Sequence, residues 1–297
     1  MSEFQQTVLI TGASGRLGRT VVAMAAEKEG VAVIAASRSP EKLKDLEGGN
    51  VFLRHVDFDK PEGLAEAFAG VNRLLLISTD ELHEPGKRIA QHKAAIQAAR
   101  EAGVEHIIYT SMPAPNSAQK IPFSPDHSAT ERAVRESGMS HTIMRVAWYA
   151  ENLIELGILP LAISTGRWLT SAGDGAIAYV TRLDVARAAC AALVDRNTAN
   201  RTLDITGPRA MTVVEMAATV GQVLQRQLEV VPMGDEELMA KLLEAKISPY
   251  IAPMIVATDA NTRENNFNTV SNAILNMTGQ PPTDFGEFTR QTFNRLI

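Results

Sequence analysis

The segment of the sequence best suited to a chemical role is a glycine-rich run, Thr11–Gly18, which reads TGASGRLG. It follows a short apolar run and precedes an Ala-rich segment of helical periodicity, so we predict a turn between a strand and a helix. In such a turn Gly12 permits a tight bend, Gly15 lets a ligand approach the backbone, and Gly18 allows the helix to pack closely on the strand. The unpaired amides and positive dipole at the start of the helix favour an anion, and we expect a diphosphate to bind there.

The charge at the end of the next predicted strand indicates which dinucleotide would bind. The glycine spacing, G-x-x-G-x-x-G, is typical of short-chain dehydrogenases, and NAD enzymes usually have a carboxylate after the second strand for the ribose 2′-hydroxyl. This chain has Arg38 there, preceded by Ser37. Arg38 can form charge-assisted hydrogen bonds with a 2′-phosphate, helped by the Ser37 hydroxyl, so we expect NADPH as the cofactor, with NADH possible. The alternatives are that Arg38 is a solvated surface charge, and that Asp57, a candidate acceptor for the adenine amino group, is only a cap.

The chain lacks the residue pair with which short-chain dehydrogenases usually reduce ketones, a tyrosine followed four residues later by a lysine that lowers its pKa. The residues at that spacing from the four tyrosines are Pro113, Leu153, Leu183 and Met254. An isolated ketone needs such a proton donor, whereas a quinone or a resonance-stabilised cationic dye is electrophilic enough to accept hydride without it. We therefore expect catalysis by positioning a nicotinamide against a flat acceptor in an apolar pocket.

Four further side chains are candidates for the acceptor side of the site. His127 and Glu131 stand one helical turn apart in the segment that normally carries the tyrosine and lysine, and they are either at the rim of the site or a solvated pair on a helix. Trp148 and Tyr149 follow directly on a predicted strand, and they are either pocket-lining residues at the mouth of the sheet or core aromatics. Our catalytic candidates are Trp148, Tyr149 and His127.

These motifs, together with the runs Leu74–Ser78, Gln91-His92, Tyr109–Ser111 and Arg145–Asn152, resemble the NmrA-like group of atypical short-chain dehydrogenases. Within that group the chain looks most like the bacterial NAD(P)H:quinone oxidoreductases of type 2, with the triphenylmethane reductases as near relatives. The resemblance implies that Thr110, Trp148 and Tyr149 lie near the nicotinamide. It also implies that NADPH is bound by Gly12, Ser14, Gly15, Arg16, Leu17, Gly18, Arg38, Asp57, Ile77 and Ser78. One departure is Arg145-Val146, where the quinone-reductase pattern has Arg-Asn.

The elements that must position these residues are predicted from hydrophobic periodicity. The first half of the chain alternates Val- and Ile-rich runs with longer helix-period segments, which indicates βαβ units around a parallel sheet. The predicted strands are 7–11, 31–36, 51–55, 74–77, 106–110 and 141–145, and the predicted helices are 16–28, 40–46, 61–69, 85–102 and 126–137. The predicted fold class is therefore α/β, a doubly wound parallel sheet of the Rossmann type.

The strict alternation stops near Trp148, and we expect a smaller α/β region on the substrate side after it. Its predicted helices are 152–163, 183–194, 211–224, 235–243, 250–258 and a closing segment 285–296, and its predicted strands are 176–180, 202–205 and 228–232. We place an NAD(P)-binding domain at 1–152 and the smaller domain at 153–297, with part of 176–206 returning to the main sheet.

Composition limits the classes of protein to which the chain can belong. Its 297 residues carry a net charge of -5 and a single cysteine, Cys190, which disfavours nucleic-acid binding and a disulfide-stapled or zinc-finger scaffold. No apolar run is long enough to span a bilayer and no export signal is visible. We therefore expect a cytoplasmic monomer or homodimer, without a nucleic-acid or membrane partner, that acts on a small quinone-like or dye-like acceptor. The alternative is a redox sensor that binds the dinucleotide without catalysis.

Overall fold

The structure is a computed structural model that describes residues 4–118 and 121–293. Its strands β1 to β11 are Gln6–Ile10, Val31–Ser37, Val51–His55, Arg73–Leu76, His106–Ser111, Ser140–Val146, Arg167–Thr170, Ala176–Ile177, Arg201–Ile205, Met211–Thr212 and Glu229–Pro232. Its α-helices α1 to α12 are Arg16–Ala26, Leu64–Ala67, Lys87–Glu101, Ser124–Glu136, Asn152–Glu155, Ile158–Thr165, Arg182–Val194, Val213–Leu224, Asp235–Glu244, Ala252–Arg263, Ala273–Thr278 and Phe285–Phe293. Short 3-10 helices cover Pro40–Leu46 and Pro61–Gly63.

The chain divides into two compact units that do not follow a single cut in the sequence. The first unit comprises Met1–Pro115, Pro125–Arg145 and Val185–Leu203, and the second comprises Asn116–Ser124, Val146–Asp184 and Asp204–Ile297. Most of α7 and β9 thus belongs to the first unit. The division into an NAD(P)-binding domain at 1–152 and a smaller substrate-side domain at 153–297 stays a prediction.

The first unit is built around a seven-stranded sheet with the order β3-β2-β1-β4-β5-β6-β9. Strands β1 to β6 pair in parallel. The chain moves outward through β2 and β3 on one side of β1, and through β4, β5 and β6 on the other. This is the doubly wound Rossmann arrangement that the sequence predicts, with its reversal of strand order between β1 and β4, where ligands of such sheets bind.

The central strands are buried on both faces, which explains why they read as continuous apolar runs. Every residue of β2 and of β5 is buried. A cluster of buried side chains that includes Phe68, Tyr109 and Ile143 joins the sheet to α2, α3 and α4. Because burial of each large apolar side chain contributes about 1.5–3 kcal/mol, this core fixes the strand ends at which the candidate site lies.

The second unit has two small sheets and a separate helical core. Strand β7 pairs with β11 in parallel, and β8 pairs with β10 in antiparallel orientation. Leu238 and Leu242 of α9 pack with Ala252 and Ile255 of α10 in a buried cluster. Among the residues that the structure describes, no helix combines the length and apolarity needed to cross a membrane.

The structure differs from the sequence prediction for local reasons. The proline-led segments 40–46 and 61–69 form a 3-10 helix and a 3-10 turn followed by α2, rather than full α-helices. The predicted helix 152–163 is split into α5 and α6 at Gly157, which has a φ of +85°. The predicted strand 176–180 is regular only over Ala176–Ile177, and periodicity does not reveal β7, β10 or α11. The last predicted residues of the closing helix, 294–296, lie outside the described part of the chain.

Candidate functional site

A cleft of about 490 Å³ opens in the first unit beside the reversal of strand order. Its volume falls in the range of about 300–1,000 Å³ that is common for small-molecule sites. The segments after four neighbouring strands line it, together with Gln91 of α3. The lining residues from those segments are Thr11, Gly12, Ser14 and Gly15 after β1, Ala36, Ser37 and Arg38 at the end of β2, Val56 and Phe58 after β3, and Ile77, Ser78, Thr79, Asp80, Glu81 and His83 after β4.

The glycine turn after β1 has the backbone form that its sequence predicts. Gly12 has a φ of +60°, a conformation that L side chains rarely adopt. A Cβ atom at Gly18 would lie 2.8 Å from the Cα of Ala13, so α1 approaches the turn itself, rather than a neighbouring strand, more closely than a side chain would allow. No acidic residue stands in the first turn of α1. The amide-rich end of the helix therefore keeps its positive potential.

Two serine hydroxyls connect this turn to the end of β2. The Ser37 hydroxyl donates to the Ser14 hydroxyl oxygen at 2.9 Å and accepts from the Ser39 amide at 3.1 Å. The Ser37 proton is thus committed to Ser14, whereas the sequence predicts that it assists Arg38. The Ser14 hydroxyl proton remains for a ligand, on an exposed residue that lines the cleft.

Arg38 stands exposed on the lining of the cleft. No carboxylate in the described ranges pairs with it. Arg19 of α1 shows the contrast, because its Nη2 lies 2.7 Å from each carboxylate oxygen of Asp45. The positive charge of Arg38 is therefore left for an anionic group of a ligand.

The segment after β4 is held by side chains from three other elements. Three consecutive backbone amides each donate to one of these side chains: Ile77 to the Thr11 hydroxyl oxygen at 3.0 Å, Ser78 to that of Thr110 at 2.9 Å, and Thr79 to Nε2 of His92 at 3.0 Å. Thr110 is only 4% exposed and is not part of the cleft lining. Thr110 therefore contributes indirectly, because its hydroxyl oxygen accepts from the backbone amide of Ser78, which does line the cleft.

His92 of α3 is held in one tautomer by its two partners. Its Nδ1 lies 2.9 Å from the Thr130 hydroxyl oxygen, whose own proton is donated to the Asp126 carbonyl at 2.7 Å. Nδ1 therefore carries the ring proton, and Nε2 accepts from the Thr79 amide. Burial and the nearby Arg88 charge lower the pKa of His92 to about 3. The ring is thus neutral at physiological pH and keeps its accepting nitrogen for Thr79.

His127 lies inside the first unit, with 4% of its surface exposed. Nη2 of Arg88 is 3.0 Å from its Nε2, and the Tyr109 hydroxyl is 2.8 Å from its Nδ1. Since a guanidinium only donates, Nε2 accepts and the ring proton is on Nδ1, facing Tyr109. Burial and the Arg88 charge lower the pKa of His127 well below its usual value, and burial raises the pKa of Tyr109. The interpretation of His127 as part of a solvated pair is therefore wrong, because both ring nitrogens are used inside the fold.

Glu131, also buried, joins β5, α4 and β6. Its carboxylate accepts from the Ser111 hydroxyl at 2.8 Å, from Nε and Nη2 of Arg145 at 2.9 and 2.8 Å, and from Arg135 at 2.9 Å. Burial raises the pKa of Glu131, but the hydrogen bonds from Arg145, Ser111 and Arg135 outweigh it and hold that pKa below its usual value. Glu131 is thus ionised, and it binds Arg145, the residue directly before Val146, at which the sequence departs from the quinone-reductase pattern.

The cleft brings together only some of the sequence-predicted cofactor contacts. Those that line it are Gly12, Ser14, Gly15, Arg38, Ile77 and Ser78, and those that do not are Arg16, Leu17, Gly18, Asp57 and Thr110. Leu17 and Gly18 are buried in α1, and the Asp57 carboxylate accepts from the Asp59 amide at 3.1 Å, in keeping with its alternative interpretation as a cap. Phe58, Thr79 and Gln91 also line the cleft, and the only sequence signal for them is their position near strand ends or in the Gln91-His92 pair.

Trp148 and Tyr149 belong to the second unit, where aromatic and cationic side chains surround them. The Trp148 ring centroid lies 6.4 Å from that of Phe123 and 6.0 Å from that of Phe267. The indole nitrogen of Trp148 is buried, and no described residue accepts its proton. The guanidinium carbon of Arg182 lies 5.0 Å from the centroid of the Tyr149 ring. Burial raises the pKa of Tyr149 to about 12 in spite of that charge, so its phenol stays protonated at neutral pH.

Comparison with known proteins finds similarity along nearly the whole chain. The sequence model of the NmrA-like family matches residues 4–289. Quinone oxidoreductase 2 of Escherichia coli K12 is 29% identical over 288 residues, which is 97% of this chain and 99% of that protein. The crystal structure of the E. coli NADPH-dependent quinone oxidoreductase complexed with NADPH aligns with a TM-score of 0.88 over 97% of this chain and 100% of that one. The structure of Citrobacter sp. triphenylmethane reductase complexed with NADP(H), 30% identical, aligns with a TM-score of 0.87 over 96% and 99%.

Proposed function

This chain belongs to the NmrA-like family, and on that premise we propose that it is an NADPH-dependent reductase that transfers hydride to quinones or similar electron-poor conjugated acceptors. The observation that carries the proposal is the cleft: a glycine turn at the reversal of strand order, with the exposed Arg38 at the end of the next strand. The similarity to the E. coli quinone oxidoreductase and the Citrobacter triphenylmethane reductase, which were solved with NADPH and NADP(H), supports the cofactor and the acceptor class.

The residues of the cleft fit a phosphorylated dinucleotide. The turn 11–15 and the start of α1 would hold the diphosphate, because a helix N-terminus without acidic residues favours an anion, and the Ser14 hydroxyl would donate to the same group. Arg38 would bind the 2′-phosphate. The cradle has room only for glycine at Gly18, where a Cβ would lie 2.8 Å from the Cα of Ala13. NADPH supplies a hydride, and the protein contributes binding and orientation.

The protonation states of His127 and Glu131 in the first unit favour a hydride acceptor whose reduced form needs no acid from the protein. The helical segment that usually carries the tyrosine and lysine has a neutral His127, whose proton faces Tyr109, and an ionised Glu131. Neither group supplies an acid to the alkoxide that forms when a ketone is reduced. A quinone instead yields a delocalised, weakly basic anion that water can protonate. We propose that Trp148 and Tyr149 form the wall beside the acceptor and that His127 positions Tyr109.

The test is oxidation of NADPH in the presence of chosen acceptors. We expect the near-ultraviolet absorbance of NADPH to fall when a benzoquinone, a naphthoquinone or a triarylmethane dye is added, and to stay constant with aliphatic ketones. Heat-denatured protein controls for direct reaction between NADPH and the acceptor. If calorimetry shows that NADPH binds but no acceptor in the panel is reduced, the reductase proposal is wrong and a redox sensor is the better interpretation.

A further inference from the structure

Gln91 of α3 is one of the residues that line the cleft, and its side-chain amide has one possible orientation. The residue is 7% exposed, and its Nε2 donates to Oδ1 of Asp59 at 2.8 Å. A carboxylate only accepts hydrogen bonds, so the nitrogen of the Gln91 amide must face Asp59 and the oxygen must face away from it. The usual ambiguity between the two ends of a glutamine amide is thereby removed.

The oxygen of this amide lacks a hydrogen-bond donor. Oε1 of Gln91 is buried, and within residues 4–118 and 121–293 no group donates to it. Buried polar side-chain atoms in folded proteins nearly always have a partner from protein, water or ligand. Because Gln91 lines the cleft together with Val56 and Phe58, the missing donor is best supplied by a molecule that binds in the cleft.

On the premise of the proposed dinucleotide, the order of groups around the cleft indicates which part of the ligand lies near Gln91. The glycine turn follows β1, Arg38 ends β2, and Val56 and Phe58 follow β3, and these three strands are neighbours in the sheet. A dinucleotide whose diphosphate lies at the turn and whose 2′-phosphate lies at Arg38 therefore extends its purine toward Phe58. Val56 and Phe58 provide the apolar surface against which a purine packs.

We propose that Gln91 selects the purine base of the cofactor, with Oε1 accepting a hydrogen bond from the exocyclic amine of adenine. Adenine carries this N–H donor at carbon 6, whereas a 6-oxopurine carries an acceptor there. A glutamine that was free to rotate would adapt to either base by turning its amide. Here such a turn would bring the amide oxygen against the Asp59 carboxylate, so the site rejects the 6-oxopurine.

The experiment compares NADPH with its hypoxanthine analogue, the reduced nicotinamide hypoxanthine dinucleotide phosphate, by calorimetric titration. We expect the wild-type protein to bind NADPH more tightly by at least about tenfold, the loss typical of a polar contact that is not made. In Gln91→Met, which has similar bulk and no amide, NADPH affinity should fall until the two ligands bind within about threefold of each other.

A second variant tests the orientation of the amide while leaving Gln91 in place. Asp59 has a side chain that is 39% exposed, and its cationic neighbour Lys87 also pairs with Glu81 and Glu84, so Asp59→Asn should fold. An asparagine can either accept from or donate to Gln91, which allows the Gln91 amide to turn. We expect this variant to recover affinity for the hypoxanthine analogue while keeping most of its affinity for NADPH.

The possible outcomes separate this inference from the proposed function. Wild-type protein that binds both nucleotides equally, or a Gln91→Met variant that folds and still discriminates, would overturn the role of Gln91 and leave the NADPH-dependent reductase intact. If Asp59→Asn discriminates as strongly as wild type, the orientation argument is wrong. Wild-type protein that binds neither nucleotide would overturn the proposed cofactor and this inference together.

Discussion

Replacement of Arg38 by aspartate exchanges an attractive charge for a repulsive one beside the 2′-phosphate of NADPH. A hydrogen bond to a charged group contributes about 1.5–3 kcal/mol, and the lower end applies because Arg38 is exposed. Repulsion between the new carboxylate and the phosphate adds about 1 kcal/mol in a highly solvated setting. We therefore expect NADPH binding to weaken by about 2–3 kcal/mol, or roughly 30–150-fold. NADH has no 2′-phosphate, and its affinity should change by less than about threefold.

Calorimetric titration of the two nucleotides at low and at physiological ionic strength measures this difference. Because the site is open to solvent, the selective loss in Arg38→Asp should shrink as salt is added. Lys42→Asp is a matched control, since Lys42 is also exposed and close in sequence but does not line the cleft. Equal losses for both nucleotides in Arg38→Asp, or the same selective loss in Lys42→Asp, would refute the assignment of Arg38.

Three further tests address the scaffold of the cleft. Gly18→Ala places a Cβ 2.8 Å from the Cα of Ala13, and urea denaturation should show unfolding free energy reduced by about 1–3 kcal/mol; unchanged stability and NADPH affinity would contradict the close approach. Thr110→Val leaves the Ser78 amide without its acceptor and should lower the free energy of unfolding by about 1–3 kcal/mol. The melting temperature of Thr110→Ser, which keeps the hydroxyl, should stay near that of the wild type. His92 has a pKa of about 3 in the folded state against 6.5 ordinarily, so the unfolded chain takes up its proton first as the pH falls. The free energy of unfolding is therefore unaffected by His92 well above pH 6.5 and decreases at lower pH, by about 2 kcal/mol between about pH 7 and pH 5. If a His92→Gln variant loses stability with the same pH slope, His92 is not the group responsible.

The parallel-sheet fold class and the phosphate-binding turn follow from local sequence patterns. Parallel strands that are covered on both faces are apolar over most of their length, so the runs that form the central strands β1, β2, β4 and β5 stand out from the helical segments between them. The turn is recognisable because it combines a strand end, a helix start and glycines at Gly12, Gly15 and Gly18. Arg38 is predictable for the same reason, since its place is set by the end of β2.

The hydrogen bonds that hold the segment lining the cleft after β4 are not predictable in this way, because the residues that they join are far apart in the chain. Thr11 bonds the amide of Ile77, and Thr110 bonds that of Ser78, and no spacing rule links such pairs before the sheet order is known. The burial of His127 depends likewise on its contacts with Tyr109 and Arg88, not on its helical pattern. Short proline-led segments and two-residue strands carry too few residues for a periodicity to appear.

The three side-chain acceptors of residues 77–79 have a thermodynamic consequence for binding. The amides of this loop already have partners from the turn after β1, from β5 and from α3. The loop therefore loses little conformational freedom when a nucleotide binds, because the entropy cost of ordering it is met during folding. Hydrogen exchange at these three amides should accordingly be slow in the ligand-free protein and change little when a nucleotide is added. The floor of the cleft is thus preorganised, and the adaptation that different acceptors require must come from other parts of the molecule.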